Sequence, residues 1–310
     1  MTAPPPVISN DLKAVLRAVK LGRCLDTLPE RLALARAREM SHAEFLELVL
    51  SDEVTRRETT SATLRAKAAG LDPSMCLENR DDTTKVNFDH AVWDELCSLR
   101  FVDAGHNVLI LGPVGVGKTF MASALGHAAS RRRYTVSFQR TDVLLKRLRA
   151  SRLDNSHDAE LRKLIRVDLL LLDDFVLQPL DPLDTADIYE LIVERHRAAS
   201  TVVTSNREPI EWIGQMADAL LAQSAIDRFQ SAAYELVLDG ESYRRRQNPA
   251  STSAAQPPEP DGDDHALDHL PGGPTSSPRR RRRPTPGGPI TLAERRSHRA
   301  GGRQTTSLRR

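Results

Sequence analysis

The sequence predicts an α/β fold, a parallel sheet flanked by helices on both faces, preceded by a small helical module. Three observations lead there. From Asn107 onward, short continuous apolar runs alternate with segments of helical periodicity, the pattern of buried parallel strands joined by helices. The first 80 residues instead carry capping-box signatures and apolar residues at helical spacing. Aromatic residues make up only 4% of the chain against 40% hydrophobic overall, so the core rests on Leu, Ile, Val and Ala. Such a core suits helices and parallel strands better than an all-β sandwich.

The elements follow in order. Thr27-Leu-Pro-Glu30 and Ser41-His-Ala-Glu44 each match a capping box. After Ser41, Phe45, Leu46, Val49, Leu50 and Val54 recur at helical spacing, and before it Leu28, Leu32 and Ala35 face one way. Residues 1–80 are therefore expected to be a small helical module. Leu71–Asn87, with Pro73 and the polar run Asn79-Arg-Asp-Asp-Thr-Thr84, reads as a linker. A helix over Asp89–Leu99 opens the second domain, expected to span 81–248. Within it the pattern predicts strands at Asn107–Leu111, Tyr134–Gln139, Asp168–Asp173, Thr201–Ser205 and Glu235–Leu238. Helices are predicted from Lys118 to about Ser130, from a cap at Thr141 to about Arg152, and over His157–Arg166, Leu183–Arg197, Glu211–Gln215 and Asp218–Ser231.

Residues 249–310 differ in kind. They hold 10 of the 19 prolines and 7 of the 16 glycines, with few large apolar residues, and are expected to be disordered. This tail carries 11 arginines against 6 acids, or +5, which leaves −3 for residues 1–248. The Arg279–Arg283 run either grips phosphates or is a solvated tail. The near-neutral remainder needs local clusters to touch nucleic acid. Arg131-Arg132-Arg133 and Lys146-Arg147 with Arg149 are the candidates, against the alternative of ordinary solvated helix faces. Cys24, Cys76 and Cys97 have no metal-site spacing, so reduced thiols are expected. No signal-peptide pattern and no apolar run near 20 residues is found, so a cytoplasmic protein without membrane partners is expected.

The chemistry centres on Gly112-Pro113-Val114-Gly115-Val116-Gly117-Lys118-Thr119, followed by Phe120, a full match to the phosphate-loop pattern between an apolar strand and a helix. Glycines let the backbone curl so that successive N–H groups point at phosphate oxygens, and the helix behind aims its positive end at the same place. Lys118 reaches the β- and γ-phosphates of ATP, and the Thr119 hydroxyl ligates Mg2+. An apolar strand ending in Asp173-Asp174 puts carboxylates at the ligand edge of a parallel sheet. Asp173 is the expected magnesium residue and Asp174 the general base. A helix-capping acid pair is the alternative. Asn206, ending the next strand, either orients the attacking water or forms the turn before Arg207-Glu-Pro209.

In this order, with Asp173-Asp174-Phe175, Thr204-Ser205-Asn206-Arg207, Glu211-Trp212, Asp227-Arg228-Phe229 and Gly240-Glu-Ser-Tyr-Arg244, the chain resembles the IstB-like transposition helper ATPases. These are AAA+ P-loop NTPases akin to bacterial replicative-helicase loaders. The likeness covers roughly residues 10–246. One departure is Val176, where that family usually has glycine, and the tail has no counterpart. The resemblance implies that Arg228 is an arginine finger reaching a neighbouring subunit's γ-phosphate, and that Arg244 senses nucleotide within its own subunit. It further implies a helper that hydrolyses ATP, forms an ATP-dependent homo-oligomer on double-stranded DNA, and recruits or stimulates the transposase of the same element. A replicative-helicase loader is the alternative. A non-catalytic nucleotide switch is disfavoured by the intact Lys118, Asp173 and Asp174, and a small-molecule kinase by the lack of any acceptor-lid signal.

Overall fold

The computed structural model describes residues 8–80, 86–240 and 242. The expected tail over 249–310, the polar stretch 81–85 and Arg244 lie outside the described residues.

The chain opens with α1 (Asn10–Ala18), α2 (Leu28–Ala37) and α3 (His42–Ala68). The Ser41 capping box forms: Glu44 N donates to Ser41 Oγ at 3.3 Å and Ser41 N to Glu44 Oε2 at 2.7 Å. The box expected at Thr27 does not. Thr27 sits at φ −105°, ψ −16°, not in the extended backbone a cap requires, and Pro29 in the first turn has no N–H to satisfy. Cys24, Leu28 and Val49 form a small core with Leu16, Leu32 and Phe45 around it. The opposite stripe of α3, Leu46, Leu50 and Val54, is exposed. The C-terminal half of α3 packs along the helix that follows the phosphate loop, placing Ala66 and Ala69 in the main core.

The expected linker is tied down in its first part. Leu71 is buried, His127 Nε2 lies 2.8 Å from the Asp72 carbonyl, and Glu78 pairs with Arg131. The apolar Leu71 draws that stretch onto the core despite the polar run after it.

Next come β1 (Val86–Asn87), α4 (His90–Cys97) capped by Asp89, α5 (Arg100–Asp103) and β2 (Asn107–Leu111). They are followed by α6 (Lys118–Arg131), β3 (Val136–Arg140), α7 (Thr141–Ser151), α8 (His157–Arg166) and β4 (Leu169–Asp173). The domain ends with α9 (Pro182–Arg195), β5 (Ser200–Ser205), α10 (Pro209–Ile213), α11 (Ala219–Gln230), β6 (Ala233–Val237) and β7 (Asp239–Gly240). Thr141 is the first residue of α7 and not its cap. Its hydroxyl is drawn instead to the Asp173 carbonyl at 2.9 Å, where it fixes the end of β4.

Five strands form a parallel sheet in the order β3-β4-β5-β2-β6, and β1 pairs antiparallel with β7. The sheet is buried on both faces. Val108 and Ile110 of β2 turn toward α6 with Leu96, Phe101 and Leu125, while Leu109 and Leu111 turn toward Leu144, Leu148 and Phe229. The order carries a consequence for function. β5 lies between the phosphate-loop strand β2 and the acid strand β4, so its last residues touch both halves of the site.

Candidate nucleotide site

The loop between β2 and α6 is shaped by close approach as much as by torsion. Gly112 has φ +145°, and a Cβ there would sit 2.2 Å from the Leu238 carbonyl oxygen. Gly115 has φ +88°, and its Cβ would fall 2.1 Å from Ser242 Oγ. The chain leaving β6 thus lies against the phosphate loop and leaves room only for glycine at both places. Lys118, the first residue of α6, is buried, and its Nζ donates to the carbonyls of Gly112 and Pro113, both at 2.7 Å.

The ends of α6, β4 and β5 converge through three side chains. Thr119 Oγ1 lies 2.9 and 3.1 Å from the two carboxylate oxygens of Asp173. Thr204 Oγ1 donates to Asp173 Oδ1 at 2.5 Å and accepts from Asp174 N at 3.1 Å. Asp173 is 4% exposed, and burial pushes its carboxyl above the usual carboxylate range. The Thr204 and Thr119 hydroxyls pull the other way without cancelling that, and the neighbouring Asp174 charge adds to the rise. A buried carboxylate with a hydroxyl beside it, held at a cost to its charge, fits a hard divalent cation that takes oxygen ligands.

Asp174 leaves the strand in the left-handed region, φ +53°. Its side chain is half-buried and makes no hydrogen bond among the described residues, so it is available to an incoming group. Val176 follows at φ +50° and is buried; this is the position where the resembled family usually has glycine, and the turn does demand that backbone. Ser205 ties the turn to β5. Its Oγ donates to the Phe175 carbonyl at 3.1 Å and accepts from Arg207 N and Trp212 Nε1 at 3.1 and 3.2 Å. Asn206, next along, emerges half-buried at the same sheet edge.

The structure therefore brings together Gly112 to Phe120, Asp173, Asp174 and Asn206, and separates Arg228 from them. Arg228 lies in the last turn of α11, next to Phe229, whose carbonyl receives Asn107 Nδ2 at 3.1 Å. Asn107 begins β2 and the phosphate loop follows its end, so five residues, about 16 Å of strand, lie between. Arg228 Nη1 donates to Ser224 O at 3.0 Å and to Ser224 Oγ, and no carboxylate pairs with it among the described residues. The opposite holds for the helical arginine clusters. Arg131 pairs with Glu78, Arg133 with Glu58, Lys146 with Asp142, Arg147 with Glu160 and Arg149 with Asp184, while Arg132 donates to Ser98 O.

Thr204 and Ser205 were missed as site residues. The one available signal was the hydroxyl pair in Thr201-Val-Val-Thr-Ser205, whose meaning depends on which strands flank it.

The family model of the IstB-like ATP-binding proteins matches residues 14–251. The chain belongs to that family. An insertion-sequence ATP-binding protein of Mycobacterium tuberculosis is 36% identical over 244 residues, covering 78% of this chain and 97% of the relative. The ATP-binding protein of insertion sequence IS21 from Pseudomonas aeruginosa is 31% identical over 77% of this chain and 90% of its own length. Among solved structures, the DnaC helicase loader matches with a TM-score of 0.43 at 19% identity, over 48% of this chain and 87% of that one. The family assignment accounts for the motif order, and the parallel sheet with β5 inserted between β2 and β4 agrees with the AAA+ fold it implies. No described helix is long and apolar enough to cross a membrane.

Proposed function

We propose that this IstB-like protein is a cytoplasmic ATPase that assembles on double-stranded DNA as the helper of its element's transposase, with hydrolysis resetting the assembly. The observation that carries the ATPase reading is the Thr119–Asp173 pair beside an Asp174 carboxylate that makes no hydrogen bond among the described residues. The insertion-sequence relatives support the transposition setting.

Each residue has a task in this reading. Lys118 exchanges the Gly112 and Pro113 carbonyls for β- and γ-phosphate oxygens. Thr119 and Asp173 hold Mg2+, which when bound neutralises phosphate charge. Asp174 takes the proton of the attacking water, Asn206 orients that water, and Thr204 fixes both acids. Arg228, on the far edge of the sheet, acts on the neighbouring subunit's nucleotide, where positive charge meets the charge that develops in phosphoryl transfer. The exposed Leu46, Leu50 and Val54 stripe supports the helical module as the contact for the transposase or for self-assembly.

The test is steady-state ATP turnover of purified protein with duplex DNA at rising protein concentration. Lys118→Ala loses nucleotide binding, Asp174→Asn binds but turns over roughly 10²–10⁴-fold more slowly, and Arg228→Ala loses the concentration-dependent rate. Mixing Arg228→Ala with Lys118→Ala restores part of it, because an intact loop then meets an intact finger. No recovery, with multimers present by light scattering, would refute the trans role.

A further inference from the structure

The sheet edge opposite the phosphate loop carries a groove of about 480 Å³ that the ATPase reading does not use. Its walls come from three segments that begin strands: His106 before β2, Arg197 before β5, and Gln230, Ser231 and Tyr234 around the start of β6. Every one of these side chains can donate a hydrogen bond, and no lining residue is a carboxylate. Of these, only Ser231 makes a side-chain hydrogen bond among the described residues, donating to the Arg228 carbonyl at 2.9 Å. The side chains of Arg197, His106, Gln230 and Tyr234 make no hydrogen bond or ion pair among the described residues, apart from the His106–Tyr234 ring contact at 6.0 Å.

Arg197 is presented by a tight turn. It sits at φ +56°, the Arg195 carbonyl accepts from the N–H groups of Ala198 and Ala199, and Gly105 packs so closely that a Cβ there would lie 3.0 Å from the Arg197 carbonyl oxygen. The turn thus fixes the backbone at Arg197, and with it the point from which a long, exposed cationic side chain leaves the fold. The contrast with Arg131, Arg133, Arg147 and Arg149 matters. Those are paired with carboxylates of the same chain, whereas Arg197 lines a concavity with no carboxylate among its described lining residues.

We propose that this groove is a phosphate-binding site and that its phosphate belongs to the backbone of bound DNA, with Arg197 as the charged anchor and His106, Gln230 and Tyr234 as accompanying donors. The inference rests on the DNA-binding reading above and assigns it a place on the chain. Backbone phosphates are the anions such a site meets on duplex DNA, and a single guanidinium among neutral donors grips one without reading sequence.

The experiment is fluorescence anisotropy of a labelled duplex titrated with full-length protein at several KCl concentrations, for the wild type, Arg197→Gln and the ion-paired control Arg131→Gln. One lost phosphate contact lowers the slope of log affinity against log salt by about 0.9. Arg197→Gln is expected to show that drop, to melt at the wild-type temperature and to keep basal ATP turnover, while Arg131→Gln keeps the wild-type slope. A wild-type slope and affinity for Arg197→Gln would overturn the assignment. A wild-type slope with loss of the concentration-dependent ATPase rate would overturn the DNA source and give the groove to the neighbouring subunit's nucleotide. Failure of the wild type to bind any duplex would refute the DNA-binding reading itself, and the assignment with it.

Discussion

Thr204 offers the sharpest test of how the two acids are held. The side chain is 1% exposed and its hydroxyl serves both, donating to Asp173 Oδ1 at 2.5 Å and accepting from Asp174 N at 3.1 Å. Thr204→Val keeps the shape and deletes both bonds. A hydrogen bond to a charged group is worth about 1.5–3 kcal/mol, and a buried N–H left without an acceptor costs about 1–3 kcal/mol. Relief of the already unfavourable Asp173 charge offsets part of this, because the carboxyl can protonate instead. A net loss of about 2–4 kcal/mol lowers the melting temperature by about 5–15 °C for a domain of this size. The effect on turnover is separate. Asp174 stands at φ +53°, and with its N–H released the turn that carries it, the proposed general base, is no longer fixed. Turnover should fall roughly tenfold to a hundredfold, within the range a misplaced base loses. Thermal melts and phosphate release are measured on Thr204→Val and Thr204→Ser together, and the serine variant, which keeps the hydroxyl, should retain most of both properties. A valine variant that melts within about 2 °C of wild type, a shift worth no more than about 1 kcal/mol, and turns over normally would show that Thr204 holds neither acid.

Further outcomes follow from other buried charges. Arg195 is 2% exposed and donates to the carbonyls of Leu164, Ile165, Val167 and Ser200 and to Thr201 Oγ1; Arg195→Met orphans them and should cost about 3 kcal/mol or more in urea unfolding, so a loss near zero would deny it a structural role. Glu53 is held at about 2 by Arg56 first and Arg57 with it. Its contribution is complete above the ordinary carboxylate range and is lost as pH falls toward about 2, so Glu53→Gln should flatten the acid limb of a pH–stability curve followed by circular dichroism. Asp173 runs the other way: burial raises it, so its charge costs stability, and stability without nucleotide rises as pH falls through its folded value. Asp173→Asn should therefore melt no lower than wild type without nucleotide, yet gain far less on adding magnesium and ATP; a lower melting temperature without nucleotide would contradict the burial argument.

Much of this fold was legible because its signals are local. Leu169-Leu-Leu-Leu172 is too short and too apolar for anything but a buried strand, and the phosphate loop announces itself in eight consecutive residues. What stayed hidden depends on neighbours the sequence does not name. Thr204 and Ser205 read as ordinary β-branched or small strand residues until β5 is placed between β2 and β4. Arg195 carries no signal of its own in the sequence, because the carbonyls that satisfy it come from the end of α8 and the start of β5.

Val176 shows the same limit from the energetic side. Read alone, a valine where the resembled family usually has glycine looks like a fault in the turn behind Asp174. The backbone does stand at φ +50°, which costs a branched residue about 1–2 kcal/mol. The side chain is 1% exposed within the core on the α9 and α11 face, and such burial returns about 1.5–3 kcal/mol. Phe175, edge-on to Trp212 at 4.7 Å, and the Ser205 hydroxyl on the Phe175 carbonyl hold the same turn from the other side. The strain and the burial nearly offset each other. The turn can therefore keep Asp174 in its left-handed conformation without the glycine: the torsional cost is set by residue type alone, while the compensation is set by where the chain has packed.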